Sequence, residues 1–142
     1  MRVYVDSSAL LKRVFLEPES DALNLQLRNY SQEGAALITS SLAWVEVSRA
    51  IRTARAGTAK MADSADLVET ALSGMLEKPI TAEVVSLARR LNPPVLRSLD
   101  ALHLASAILV DADALIAYDQ RLIAASMAND LRAVVPTEAG AR

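Results

Sequence analysis

Apolar positions along the chain switch period several times, and each switch marks the border of an expected element. Val3-Tyr4-Val5 is a β-branched and aromatic run halted by Asp6-Ser7-Ser8, after which residues 9–15 carry helical spacing. A strand, a tight turn and a helix are expected there. Glu17-Pro18-Glu19-Ser20 breaks the helix, and residues 21–31 resume its period through Leu23, Leu27 and Tyr30. Residues 35–39 read as a second strand, closed by Ser40-Ser41, either of which can cap a helix over 42–56 that stops at Gly57. Residues 58–76 predict an amphipathic helix with Met61, Ala65, Val68 and Leu72 inward, and the segment around Met75-Leu76 and Pro79-Ile80 a short strand. Thr81 caps a helix ending near Leu91, where Asn92-Pro93-Pro94 stops it. After a helix over 99–110, Asp111-Ala112-Asp113 turns into a strand at 114–118, which Asp119 ends. A helix over 120–128, closed by Asn129 as a left-handed cap, and a last strand at 133–135 complete the series.

Strands alternating with helices predict an α/β fold, a three-layer α/β/α sandwich on a central parallel sheet. The run at 114–118 is apolar without alternation, as in a parallel strand covered on both faces. No repeat or linker divides the chain, so 1–142 reads as one domain with 137–142 as a flexible tail, and Trp44 reads as core.

Leu99 to Val110 is apolar on nearly every side of a helical wheel, the pattern of a helix enclosed by its domain. Its polar exceptions, Asp100, His103 and Ser106, share one stripe. An ionised carboxylate in such a helix needs a partner or a cation, so the stripe is expected to face a wet cleft. The alternative is that Asp100 only opens the helix, where a carboxylate suits the dipole.

Composition narrows the chemistry. The 142 residues are 52% hydrophobic but only 4% aromatic, enough for a core and too few rings for a base-stacking platform. A net charge of −2 argues against a generally basic coat for nucleic acid, so a polyanionic substrate would have to be gripped locally. The absence of Cys excludes disulfides, thiolate metal sites and cysteine nucleophiles. Asp6 interrupts the chain before a signal-peptide core can form, and no apolar run is long enough to span a bilayer, so a cytoplasmic protein is expected.

Ligands of an open parallel sheet bind beyond the carboxyl ends of its strands. Asp6 and Asp119 each follow a strand and precede a helix at that edge, Asp100 opens the enclosed helix, and Glu46 lies one turn into the helix after the second strand. Each has an ordinary reading, as a cap or, for Glu46, as the partner of Arg49. Together they would repel one another unless a cation intervened, and an oxygen donor set with a single His suits Mg²⁺ or Mn²⁺ rather than zinc. A divalent pair held this way can activate water for in-line attack on a phosphodiester. Lys12, Arg13, Arg49, Arg52, Arg97 and Arg121 fall near the same edge as candidate phosphate contacts, of which Arg13, Arg49, Arg97 and Arg121 are taken as RNA-binding. Ser7 and Ser8 either support a metal-bound water or cap the first helix. His103 either orients a ligand or phosphate or is structural. Asp111 and Asp113 lie at the opposite end of their strand and are set aside.

Val3-Tyr4-Val5-Asp6-Ser7-Ser8-Ala9-Leu10, Ser40-Ser41-Leu42-Ala43-Trp44-Val45-Glu46-Val47, Leu99-Asp100-Ala101-Leu102-His103-Leu104-Ala105 and Ala117-Tyr118-Asp119-Gln120-Arg121-Leu122 occur in this order across nearly the whole chain. In order and spacing they resemble the PIN-domain family, and in particular the toxin component of VapBC toxin–antitoxin systems. The resemblance implies a Mg²⁺- or Mn²⁺-dependent endoribonuclease, normally a homodimer, kept inactive by a small antitoxin whose C-terminal segment enters the acidic cleft. It also implies that Asp6, Glu46, Asp100 and Asp119 are catalytic metal ligands supported by Ser7. The acidic balance departs from what an RNA-cutting enzyme suggests. Alternative readings are a PIN-domain nuclease of RNA processing and a non-catalytic PIN scaffold. A phosphoaspartate protein built on Asp6 is disfavoured, because Ser8 stands where such a phosphatase needs a second acid and Lys78 falls in the wrong order for a receiver domain.

Overall fold

Strand β1 (Arg2–Val5) sets the layering, because its successive side chains point to opposite faces and both faces are covered. Val3 and Val5 enter one core while Tyr4 enters the other, all three fully buried. The computed structural model describes residues 1–138. Following β1 come α1 (Ser7–Leu11), α2 (Ser20–Gln32), β2 (Ala36–Ser40), α3 (Ser41–Arg55), α4 (Ser64–Leu72) and β3 (Leu76–Lys78). The chain continues through α5 (Ala82–Ala88), α6 (Ser98–Leu109), β4 (Ala114–Ile116), α7 (Gln120–Ala128) and β5 (Ala133–Val134). The fold is thus α/β, with three layers.

The sheet is parallel throughout in the order β3-β2-β1-β4-β5. Tyr4 pairs with Ile38 on one side and Leu115 on the other, so β1 is central. The chain moves outward from β1 to β3 and then returns to place β4 on the other flank of β1. That reversal opens a crevice at the carboxyl ends of β1 and β4, where α/β sheets bind ligands. On one face α1, α2, α3 and α4 pack Leu10, Leu23, Leu27, Val47, Ile51 and Leu72 against Val3, Val5 and Ile116. On the other, α6 and α7 pack Leu104, Ala107, Leu122 and Ala125 against Tyr4, Ile38 and Leu115, with α5 laid on α6.

Several elements differ from their sequence expectation. Residues 58–76 are not one helix: the Thr58 hydroxyl caps a 3₁₀ turn over Ala59–Asp63, α4 begins at Ser64, and Gly74 at φ 79° turns the chain into β3. A left-handed residue there is easy only for glycine. The first helix is short, giving way after Leu11 to turns that lead to Pro18. At the end of α7 the left-handed residue is Asp130, at φ 59°, and not Asn129, whose amide instead donates to the Ala125 and Asn92 carbonyls. Trp44 is not core. It is 37% exposed on α3, beside Ser48, Arg52, Ala65 and Glu69. Of the expected tail, Thr137 and Glu138 are described and 139–142 lie outside the described residues.

Candidate functional site

Asp6 leaves β1 at the crevice with its backbone N–H donating to the Ile116 carbonyl of β4 at 3.0 Å, which fixes the carboxylate on the seam between the two strands. Its two oxygens divide the work. Oδ2 caps α1, accepting from the Ser8 N–H at 3.2 Å and the Ser8 hydroxyl at 2.7 Å, while Oδ1 faces His103 Nε2 at 3.4 Å. Asp119 does the same at the start of α7: Oδ1 accepts from the Arg121 and Leu122 N–H groups at 3.0 Å, and Oδ2 lies 3.7 Å from Arg97 Nη2. Capping and facing the crevice are therefore not rival readings of these residues. One oxygen satisfies a helix end and the other is left for the site.

Glu46, one turn into α3, accepts from the Ser7 hydroxyl at 2.7 Å and from His103 Nε2 through the same oxygen. Asp100 opens α6, with Oδ2 3.7 Å from Arg97 Nε. The carboxylates thus form two bridged pairs, Asp6 with Glu46 across His103 and Asp100 with Asp119 across Arg97. The pairs feel each other. Burial pushes the Asp100 carboxyl up, and the charges of Asp119 and Asp6 push it further, against the opposing pull of Arg97 and His103. Burial also pushes Glu46 up, but the hydrogen bond and charge of His103, with the Ser7 hydroxyl, outweigh it and leave Glu46 below its ordinary value. His103 moves the other way: burial lowers it, and its bond to Glu46 with the charges of Asp6, Glu46 and Asp100 raise it overall.

The polar stripe of α6 does not face a wet cleft along its length. Asp100 is partly exposed, but His103 and Ser106 turn into the interior, and the Ser106 hydroxyl donates to its own helix at the Leu102 carbonyl. The cations also separate. Arg97 is 63% exposed and joins the acids, and Arg49 and Arg121 are exposed. Arg13 does not join them: its guanidinium donates to the Ala71 and Ser73 carbonyls at 2.8 Å, closing the end of α4. Lys12 binds Glu17 and Glu19 and lies over the Tyr118 ring.

Whether these residues suit a divalent ion follows from their chemistry. Among the described residues no three acidic or histidine side chains already have their donor atoms set around a common ion position. The donors are nonetheless carboxylate oxygens, as hard cations prefer, and both pairs already recruit a cationic or N–H-bearing group to offset their charge. A divalent ion would take the place of Arg97 and complete the compensation that His103 begins, and the residues fit it. One contributor escaped the sequence reading, and another does more than it implied. Tyr4 was legible only as a strand residue, yet its hydroxyl bonds His103 Nδ1 at 2.7 Å. Ser8 was read as a cap or a support for water, yet its hydroxyl also accepts from the Tyr118 N–H, tying α1 to the end of β4.

Residues 3–126 match the PIN domain family. The chain is 38% identical over 141 residues to "Ribonuclease VapC35" of Mycobacterium tuberculosis, covering 96% of this chain and 98% of that one. It is 37% identical over 123 residues to "Ribonuclease VapC47" of the same species, covering 85% and 87%. Among solved structures, VapBC2 from Rickettsia felis bound to a DNA fragment from their promoter superposes with a TM-score of 0.76 at 14% identity, over 96% of this chain and 99% of that one.

Proposed function

This chain belongs to the PIN domain family, and from that premise we propose that it is a VapC-type endoribonuclease, the toxin half of a toxin–antitoxin pair, acting at the crevice between β1 and β4. The observation that carries the reading is the meeting of Asp6, Glu46, Asp100 and Asp119, drawn from four separate stretches, as two pairs bridged by His103 and Arg97. The relatives named as ribonucleases at 37–38% identity over most of the chain support the same activity. Asp6, Glu46, Asp100 and Asp119 would hold Mg²⁺ or Mn²⁺, which when bound supplies the charge needed for water to attack an RNA phosphodiester.

The remaining roles belong to the chain itself. Ser7 holds Glu46 in place through its hydroxyl, and His103 fixes Glu46 against Asp6. Arg97, exposed and shared between two carboxylates, is placed to exchange them for a backbone phosphate, with Arg49 and Arg121 as further exposed contacts. A chain of net charge −2 then grips RNA through a local cationic rim rather than through its overall field. A small antitoxin as inhibitor, a homodimer as the active form and the cytoplasm as the compartment complete the reading. Among the described residues no helix is long and apolar enough to cross a membrane.

The test is RNA cleavage by the purified chain. Cutting is expected with Mg²⁺ or Mn²⁺ and not with chelator, and expression is expected to arrest growth unless the adjacent small open reading frame is co-expressed. Equal cutting in chelator, or none with either ion, would contradict the proposal.

A further inference from the structure

Tyr4 is fully buried in the middle of β1, between Ile38 and Leu115, where the apolar pattern asks only for volume. Phe would fill that space, and a buried hydroxyl is costly unless bonded. Its partner is the chain's one histidine, 99 residues away, with Tyr4 Oη 2.7 Å from His103 Nδ1 and the rings edge to face at 5.9 Å. The opposite ring nitrogen, Nε2, meets Glu46 Oε1, Ser7 Oγ at 3.3 Å and Asp6 Oδ1 at 3.4 Å. Carboxylates at neutral pH only accept hydrogen bonds, so Nε2 carries the hydrogen.

An imidazole can turn about its Cβ–Cγ bond, and the two ends of the turn place nitrogen or carbon toward the carboxylates. The phenol breaks that ambiguity. We propose that Tyr4 is a positioning residue: its hydroxyl, held rigid by the central strand, locks the His103 ring so that one N–H spans Glu46 and Asp6 and presets both carboxylates for the ion. The anchor sits on the central strand of the sheet, and the two acids lie at the end of β1 and on α3, so one buried bond sets the spacing of that pair. This rests on the metal reading of the site.

The experiment compares Mn²⁺ binding by the full chain with that by Tyr4→Phe, using the electron paramagnetic resonance of unbound Mn²⁺. The variant is expected to stay folded at the temperature of the measurement, melting somewhat lower because buried Nδ1 loses its partner, and to bind Mn²⁺ about 10-fold more weakly, the scale seen when a partner of a ligating side chain is removed. The loss should vanish when Tyr4→Phe is made in a His103→Asn background, because the hydroxyl then has no ring to orient. In the ¹⁵N spectrum of the single imidazole, the wild-type Nε2 proton should exchange slowly and the variant's faster. Equal Mn²⁺ affinity in wild type and Tyr4→Phe, or an equal loss in the His103→Asn background, would overturn the proposal. A wild-type chain that takes up no Mn²⁺ would instead overturn the metal reading, and this inference with it.

Discussion

Asp100→Asn is expected to lower RNA cleavage by about 10³-fold or more while leaving the chain folded, since stabilising the charge of phosphoryl transfer is worth several kcal/mol and about 1.4 kcal/mol is tenfold in rate. The substitution keeps the shape of the side chain at the start of α6 and removes only the charge. That charge is disfavoured in the folded chain, because burial and then Asp119 and Asp6 push the Asp100 carboxyl up. The fold thus disfavours the ionised form, and replacing it with a neutral amide removes that cost, so the substitution should not lower the melting temperature of the ion-free protein. The combination is diagnostic. Lost cleavage with an unchanged or raised melting temperature marks a ligand, whereas lost cleavage with a lowered one marks a structural residue, and retained cleavage would remove Asp100 from the site.

Leu104→Ala is expected to cost about 2–5 kcal/mol of stability, measured by urea denaturation. Leu104 is fully buried and packs α6 onto the face of the sheet that carries Tyr4, Ile38 and Leu115, with Leu122 and Ala125 of α7 alongside. The hole it leaves is bounded by strands that cannot close on it, because β1 and β4 are clamped from the other side by Val3, Val5 and Ile116. The same helix carries Asp100 and His103, so loosening it should weaken the site before the chain unfolds. A cost under about 1 kcal/mol would mean that α6 is not the packed support the site requires.

The alternation of strands and helices was legible because parallel strands covered on both faces are short apolar runs, and 114–118 is such a run around β4. The stop at Gly57 was legible too, but the 3₁₀ turn over Ala59–Asp63 was not, since Met61, Ala65, Val68 and Leu72 keep a helical period across the junction with α4 at Ser64. Trp44 misled because a large ring on an amphipathic helix is usually inside, whereas α3 puts Ala43 and Val47 inward and turns Trp44 outward. At the site, the two strand-end acids were legible from topology, because a residue directly after a parallel strand lies at the binding edge. Glu46 was legible from its place beside the apolar arc of α3. What a sequence does not carry is pairing between distant side chains. Nothing local says that Arg13 closes α4, that His103 points inward to Tyr4, or that Arg97 lies across Asp100 and Asp119.

The central claim is that the crevice between β1 and β4 is a divalent-cation site, and anomalous scattering from crystals grown with Mn²⁺ tests it most directly. A manganese peak is expected within about 2.5 Å of carboxylate oxygens of both Asp6 and Asp100, with Arg97 turned away from the pair. No peak there at saturating Mn²⁺, or a peak only elsewhere on the chain, would contradict it.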